Sequence, residues 1–475
     1  MAVPSRRYLV LSDLHLCDVE EHPDGWKVYK SARFHFDDEL AELLASFRAR
    51  CAAARPTLVL NGDIFDFDQV IAVPEQPPWP VSLGERRRGL DATASKSVFK
   101  LERILEPHAR FVSALAAFLA SGGEVIYVLG NHDRELCFPE VEQALRAALR
   151  RQAAADGLAE AANVDAALRI EPWFYYVPDE LYVEHGHQLD TYSSFRHPLR
   201  PMVPGHDGPK LALPMGNLSN RVLGTKLGYF NPHASDYILN MLRYATHWLR
   251  YYALSRHSLV VAWLVGSLVV VSKMLRQRRI WQAIPVDGAL EEAAARTRLP
   301  LEKLEALARL QQPPIVNRFY RVVRELWLDR VLLALLMVAG TVVLAVLPVP
   351  LWLKLSVPLS GFPLVYLVYE EAMRGLTIFT TEEHMPRVAR AVAEILPTSI
   401  VAFGHTHKPR LLPLDRDVSF VDTGTWAPIF VGESFSQLAP GLRNYLEISQ
   451  GGTGTLTAVL SSCLGVGAPR RGGET

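Results

Sequence analysis

Five short polar clusters, each trailing an apolar run, carry the residues of this sequence best suited to chemistry. They are Asp13 and His15 in SDLHLC, Asp63 in NGDIFD, Asn131 and His132 in GNHD, His185 in EHGH, and His405 and His407 in GHTH. The runs ahead of them, at 8–11, 58–60, 125–129, 181–183 and 399–403, read as buried strands. One Asp-x-His alone is commonplace on a protein surface; five such clusters at successive strand ends describe a site. Carboxylates, imidazoles and an amide suit divalent ions such as Mn, Fe, Zn or Co better than a thiolate set would. Two ions held close together need a shared ligand, and the Asp63 carboxylate is the natural bridge. Gly62, just before it, lets the backbone turn close past the ions. Residues i and i+2 of an extended chain point the same way, so the first strand is expected to aim Asp13 and His15 at one ion.

The order D-x-H, G-D, G-N-H-D, H, G-H-x-H resembles the calcineurin-like metallophosphoesterase family, over roughly residues 5–195 and 376–460. That resemblance implies an α/β fold, a four-layer αββα sandwich. It implies a dinuclear centre in which Asp13, His15 and His407 hold the first ion, Asn131, His185 and His405 the second, and Asp63 bridges. The expected cofactors are two divalent ions, Mn foremost, with Fe, Zn or Co as alternatives. A water between them would lose its proton and attack phosphorus in line with the leaving oxygen. The family assigns His132 to protonating or stabilising the leaving group, oriented by Asp66, the second acid of GDxxD. In EHGHQLD the resemblance selects His185 and leaves His187 without a required role. Within the family, SDLHLC and GHTHKP look like the UDP-2,3-diacylglucosamine pyrophosphatases. Those enzymes carry Arg where this chain has His132, and HGD where it has HGH. They also lack the insertion described next, so the chain reads as a distinct relative. Cys17, shared with them, is assigned to packing.

The elements that must position these residues alternate strand, polar loop and helix, the grammar of an α/β layered fold with its site at the carboxyl ends of strands. Helical spacing marks 109–120, stopped by Gly122-Gly123, and 383–396. Two segments depart from this grammar. Residues 67–100, with Pro74, Pro77, Pro78, Pro80 and then Arg86-Arg87-Arg88, read as a long surface excursion. Its arginines are expected on the metal side, where they could take a second phosphate, and Trp79 and Phe99 could flank an acyl chain or base. Residues 196–375 form a large helical insertion, which divides the chain into 1–195, 196–375, 376–460 and a flexible tail, 461–475.

The insertion holds uncharged runs of 16, 23 and 15 residues at 257–272, 331–353 and 355–369. A spanning helix needs roughly 17–25, so the insertion reads as partly membrane-embedded. The two halves of one site require an even number of crossings. Either 257–272 and 331–347 both cross, or 331–347 and 355–369 form a hairpin turned at Pro348-Val349-Pro350. Between the first two runs, 273–330 carries twelve Lys and Arg against seven Asp and Glu. The positive-inside rule keeps such a loop cytoplasmic and favours the hairpin, with the first helix lying shallow in the interface. Pro358 and Pro363 make the third run a poor helix.

Lys plus Arg and Asp plus Glu number 50 each in the 475 residues, so net charge gives no reason to expect a bulk nucleic-acid binder. Four cysteines without pairing or zinc-type spacing suit a reducing compartment. The N-terminus lacks an apolar run long enough for a signal peptide. These features predict an enzyme at the inner, cytoplasmic membrane, its catalytic domain cytoplasmic, that hydrolyses a lipid-linked phosphoester or pyrophosphate; the sequence sets no oligomeric state. Two alternatives are a membrane-anchored phosphodiesterase for soluble nucleotides, and a non-catalytic scaffold stabilised by its metals. The second has no use for His132.

Overall fold

The computed structural model describes residues 6–51, 55–158, 164–205, 207–229, 231–233, 246, 249–250, 252–253, 259–281, 288–372, 378–414, 417–431, 437–450 and 456–463. The expected tail therefore lies, from residue 464, outside the described residues. Two main sheets organise the chain. Their strands are β1 (Arg7–Leu11), β2 (Pro56–Asn61), β3 (Glu124–Val128), β4 (Leu168–Glu171), β5 (Phe174–Val177), β6 (Leu181–Glu184), β7 (Ile400–Phe403), β8 (Arg410–Pro413), β9 (Ser419–Asp422), β10 (Asn444–Gln450) and β11 (Leu456–Ser462). The first sheet runs β11-β10-β1-β2-β3-β4, parallel from β1 to β4 with the last two strands of the chain added antiparallel. The second runs β8-β9-β7-β6-β5, with β9, β7 and β6 parallel.

Strand alternation sorts the apolar residues into layers. Tyr8, Val10, Val59, Ile126 and Val128 face Val183, Ile400, Ala402 and Val421 between the sheets. Their neighbours Leu9, Leu11, Leu58, Leu60, Val125 and Tyr127 pack in a second core with helices Asp37–Arg50, Ala109–Ala120 and Pro139–Ala155. On the outer face of the second sheet, Tyr182, Val401, Phe403 and Phe420 meet Met385, Ala389 and Val392 of helix Ile378–Ile395. Helix, sheet, sheet, helix is the order of layers, and strands buried on both faces explain why β1 to β3 read as continuous apolar runs.

Three expectations change. Residues 67–100 are not one surface excursion. Phe67 to Val70 are fully buried, and helix Ala94–Leu105 turns Lys96, Ser97, Lys100 and Leu101 inward. A run of prolines suggests exposure, but the lysines are buried because they are paired: Lys96 Nζ donates to Glu85 at 2.7 Å and Lys100 Nζ to the Phe67 carbonyl at 3.0 Å. The insertion does not begin as a separate body either. Helix Met215–Val222 places Met215, Leu218 and Val222 in the core of the first helix layer. The third apolar run is helical, as Leu351–Ser356 and Phe362–Ala372 joined through a π-turn at Val357–Gly361 that absorbs Pro358.

Among the described residues, three helices are long and apolar enough to cross a membrane: Val260–Trp281, Leu328–Val346 and Leu351–Ala372. They differ in packing. About 28% of the first one's apolar window is buried against the protein, Val270 and Met274 among it, whereas none of the other two is.

Candidate metal centre

The loops after β1, β2, β3, β6 and β7 all open at one end of the sandwich. Backbone bonds zip the first two together: Asp13 N–H donates to the Gly62 carbonyl at 3.0 Å and His15 N–H to that of Asp63 at 2.8 Å. Asp13, His15, Asp63, His405 and His407 all have positive φ, between 49° and 71°. Such left-handed conformations cost non-glycine residues roughly 1–2 kcal/mol each, and their concentration in one place marks a built site. They also correct the expected cause of convergence. Strand β1 ends at Leu11, and Asp13 and His15 meet through left-handed turns beyond it, not through alternation within it.

Around Asp13, His407 Nε2 lies 3.3 Å from Asp13 Oδ1 and 3.2 Å from His15 Nε2. His15 Nε2 is 3.9 Å from both Asp13 Oδ1 and Asp63 Oδ2. On the other side of Asp63, the same Oδ2 lies 3.1 Å from His185 Nε2, and Asp63, His185 and His405 bring ligand atoms within 4.8 Å of one another. Asp63 Oδ2 is therefore the atom common to both groups. Its second oxygen is already used, accepting His132 N–H at 2.8 Å. Gly130 passes so near that a Cβ there would sit 2.1 Å from Asp63 Oδ1.

The donor atoms are arranged for cations. His15 Nδ1 faces Asp66 Oδ2 at 3.2 Å, His407 Nδ1 faces the His233 carbonyl at 3.2 Å, and His185 Nδ1 faces the Asn61 carbonyl at 2.8 Å. Each Nδ1 must donate, so each neutral ring turns an Nε2 lone pair inward. Lone pairs of His15 and His407 then face each other, and that of His185 faces a carboxylate. Among the described residues, Asp13 Oδ1, Asn131 Oδ1 and His185 Nε2 are buried without a hydrogen-bond partner. A buried set of acceptors with so few donors calls for positive charge in its midst. The His185 imidazole shows the same demand: burial lowers it, but Asp63 and Asp13 push it up to about 10.

His132 stands beside this group. Its Nδ1 is 3.2 Å from Asp66 Oδ1 and 3.1 Å from Asp68 Oδ2. Burial alone would lower the imidazole, yet Asp66 and Asp63 hold it well above its ordinary value. Asp68 went unassigned in the sequence, although NGDIFDFD displays it two residues after Asp66. Its other oxygen is bound by Arg221, which also holds Glu135. Asn217 donates to Asp68 Oδ2 at 2.6 Å and to the Asn131 carbonyl at 2.9 Å. His233 sits against His15, ring centroids 4.2 Å apart. Asn217, Arg221 and His233 come from the insertion, and no local motif announces them.

The remaining candidates fall elsewhere. His187 is buried 5.5 Å, ring to ring, from His185 but joins none of the metal-type clusters among the described residues. Trp79 packs edge-on against Phe99 at 6.2 Å. Arg86 and Arg87 are exposed and Arg88 lines a cavity that none of the ligand candidates borders. Burial pushes the Cys17 thiol up, and its carbonyl faces His108 Nε2 at 3.1 Å, in keeping with a packing role. His108 with His35 and Asp37 forms a further three-residue cluster, in which both His108 nitrogens already have protein partners.

Residues 6–215 match the family model described as calcineurin-like phosphoesterase. The matched span contains Asp13, His15, Asp63, Asp66, Asn131, His132 and His185; His405 and His407 lie beyond it, after β7, which pairs with β6. No curated protein matches the chain.

Proposed function

We propose that this protein, a metallophosphoesterase whose calcineurin-like phosphoesterase domain covers residues 6–215, hydrolyses a lipid-linked phosphoester or pyrophosphate at a membrane surface. Asp13, His15 and His407 would hold one divalent ion, Asn131, His185 and His405 the other, and Asp63 both. The atom shared between the two groups, Asp63 Oδ2, supports that division. Oxygen and nitrogen donors without a thiolate favour Mn, with Fe, Zn or Co as the other candidates. When bound, such ions polarise the phosphoryl group and lower the pKa of water.

The chain's own residues supply the rest. The Nδ1 contacts to Asp66, the His233 carbonyl and the Asn61 carbonyl fix the rings of His15, His407 and His185 so that each Nε2 turns inward. His132, held protonated by its acids, gives its proton to the departing oxygen. Asn217 ties Asp68, which faces His132, to the loop that carries Asn131. Asn217→Ala is therefore expected to weaken Mn²⁺ affinity or turnover roughly 10–100-fold, as loss of an outer partner commonly does. Equilibrium dialysis and initial rates read the two effects separately.

The carrying observation for a lipid substrate is the exposed apolar pair Leu328–Val346 and Leu351–Ala372, no part of whose apolar windows is buried. Nineteen residues of helix reach about 28 Å, close to the hydrocarbon thickness of about 30 Å. Arg324, Arg330, Asp329 and Glu370 gather at the base of this pair, as a membrane boundary requires. We read the pair as a hairpin dipping through the bilayer from the cytoplasmic side and the partly buried helix Leu259–Trp281 as lying along the interface. Motif likeness to the UDP-2,3-diacylglucosamine pyrophosphatases points to a lipid pyrophosphate.

The test compares kcat/KM in Mn²⁺ and mixed micelles for a lipid-linked pyrophosphate, a nucleotide diester and a simple aryl diester. A lipid preference of tenfold or more that disappears when 328–372 is replaced by a short polar linker is the expected result. A nucleotide preferred over lipid, before and after that replacement, would move the reading to an anchored phosphodiesterase. No turnover of any phosphoester would leave the scaffold.

A further inference from the structure

The arginine cluster 86–88 has no place in the metal centre, and the fold gives it different company. Helix Leu83–Arg88 is short and rigidly started: Ser82 and Glu85 form a reciprocal capping box. Its last residue lines a cavity of about 230 Å³ whose opposite wall is helix Leu259–Trp281, through Lys273, Arg276 and Gln277. Leu211, Leu213, Leu218 and Val222 supply the apolar part of the lining, and Lys210 adds another cation. The two basic stretches are almost two hundred residues apart in sequence, and neither makes a pocket alone.

The charges in this pocket do not cancel. Lys210 and Lys273 both reach Asp91, at 3.4 and 3.1 Å, so the three leave one positive charge. Glu85 is taken by Lys96, and Arg221 by Asp68 and Glu135. Arg88 and Arg276 have no acidic partner among the described residues. Roughly three positive charges therefore line an opening floored by leucine and valine. A cavity below the ~300–1,000 Å³ of small-molecule sites is too small for a whole nucleotide but suits a phosphate headgroup.

The position of the pocket selects the kind of phosphate. Just ahead of the basic turns, the same helix exposes Val260, Val261, Leu264, Val265 and Leu268, each between 39% and 61% accessible. Across the pocket, Leu83 is 75% exposed one turn before the arginines. Apolar side chains flanking a cluster of Lys and Arg form the pattern of a surface seated in the headgroup layer of a bilayer. We propose that the Arg88–Lys210–Lys273–Arg276 pocket is a non-catalytic site for the phosphate headgroup of an anionic bilayer lipid. Such a lipid would pin helix Leu83–Arg88 to helix Leu259–Trp281 and set the catalytic domain at a fixed height over the membrane. The proposal rests on the reading that the insertion meets a membrane, but it requires no particular substrate.

The test uses the full-length protein, delipidated in dodecyl maltoside, and follows its melting midpoint as dioleoyl phosphatidylglycerol, dioleoyl phosphatidylcholine or inorganic phosphate is added. Phosphatidylglycerol alone should raise the midpoint. Each basic side chain near a membrane contributes about a fivefold gain for an anionic lipid, so Arg88→Gln with Arg276→Gln should weaken its apparent affinity roughly 30-fold. Arg86→Gln with Arg87→Gln, on the same helix but outside the pocket, should weaken it less than about threefold. Both double variants should hydrolyse bis-p-nitrophenyl phosphate in detergent like the parent. If the first double variant melts early without lipid, Lys273→Gln alone carries the same comparison, with about a fivefold loss expected. Equal stabilisation by phosphatidylcholine, or equal loss in both double variants, would overturn a defined anionic-lipid site. An equal shift from inorganic phosphate would assign the pocket to a soluble anion. Failure to hydrolyse lipid pyrophosphate, with the phosphatidylglycerol effect intact, would remove the substrate reading and leave this one standing.

Discussion

Asp63→Asn is expected to lower turnover by roughly 10³-fold or more and to leave the purified protein with at least one fewer divalent ion per chain than the parent. The change is nearly isosteric and keeps an acceptor for the His132 N–H, now 2.8 Å from Asp63 Oδ1, so the fold should survive. What it removes is the second anionic oxygen. An amide that keeps its oxygen toward His132 must turn its NH₂ toward His185 Nε2, where the carboxylate oxygen now lies 3.1 Å away. The NH₂ would donate to that lone pair and occupy it. His15 Nε2, 3.9 Å from the same atom, would face a donor too. One substitution thus closes the shared position to both sides. Metal content by plasma emission, with a thermal melt to establish folding, checks the result. A variant retaining two ions and parental rates would dismiss Asp63 as the bridge and with it the division of ligands around it.

Much of this centre is legible in the sequence because the information is local. Each candidate ligand sits within four residues of a strand end, and side-chain type with strand position is enough to gather Asp13, Asp63, Asn131, His185 and His407 at one end of two sheets. What cannot be read locally is the means of convergence. Left-handed turns at Asp13, His15, Asp63, His405 and His407 are not announced by residue type: Asp and His enter that conformation more often than other non-glycine residues, but only in a small minority of cases. The supports are also invisible: Asn217 reaches Asp68 and Asn131 from 149 and 86 residues away. Its helix belongs to a segment that composition set apart from the catalytic domain. The burial within 67–100 is hidden for a similar reason. Prolines suggest surface, and only the partners Glu85 and the Phe67 carbonyl explain why Lys96 and Lys100 turn inward.

The insertion is consequently part of the candidate site's construction. Helix Met215–Val222 touches the acid that faces His132 on one side, through Asn217 and Arg221, and borders the basic pocket on the other, through Leu218 and Arg221. A chain that merely carried a membrane anchor would have no need to route it through the support of its acid.

For His132→Gln the expected outcome depends on the leaving group, and that dependence separates proton donation from mere packing. Nδ1 is committed to Asp66 and Asp68 at 3.2 and 3.1 Å, so the other ring nitrogen is the one available to a substrate. Asp66, with Asp68 beside it at Nδ1, offsets burial and raises the ring well above its ordinary value. In the neutral range it is therefore an acid, and activity that depends on it should be lost as the medium becomes alkaline, not as it becomes acidic. Alkoxide and phosphate leaving groups need that proton, and with them kcat should fall roughly 10²–10⁴-fold. p-Nitrophenolate departs without it, so the loss on bis-p-nitrophenyl phosphate should be much smaller, within about tenfold. Metal content should be unchanged, because neither nitrogen of His132 belongs to the proposed ligand set. Equal losses on alkyl and aryl esters, or a missing ion, would show that His132 holds the site together and does not act on the leaving group. Asp68→Asn supplies the complementary measurement: with one of the two acids neutral, the alkaline limb of the alkyl-ester profile should move to lower pH while the aryl profile stays where it is.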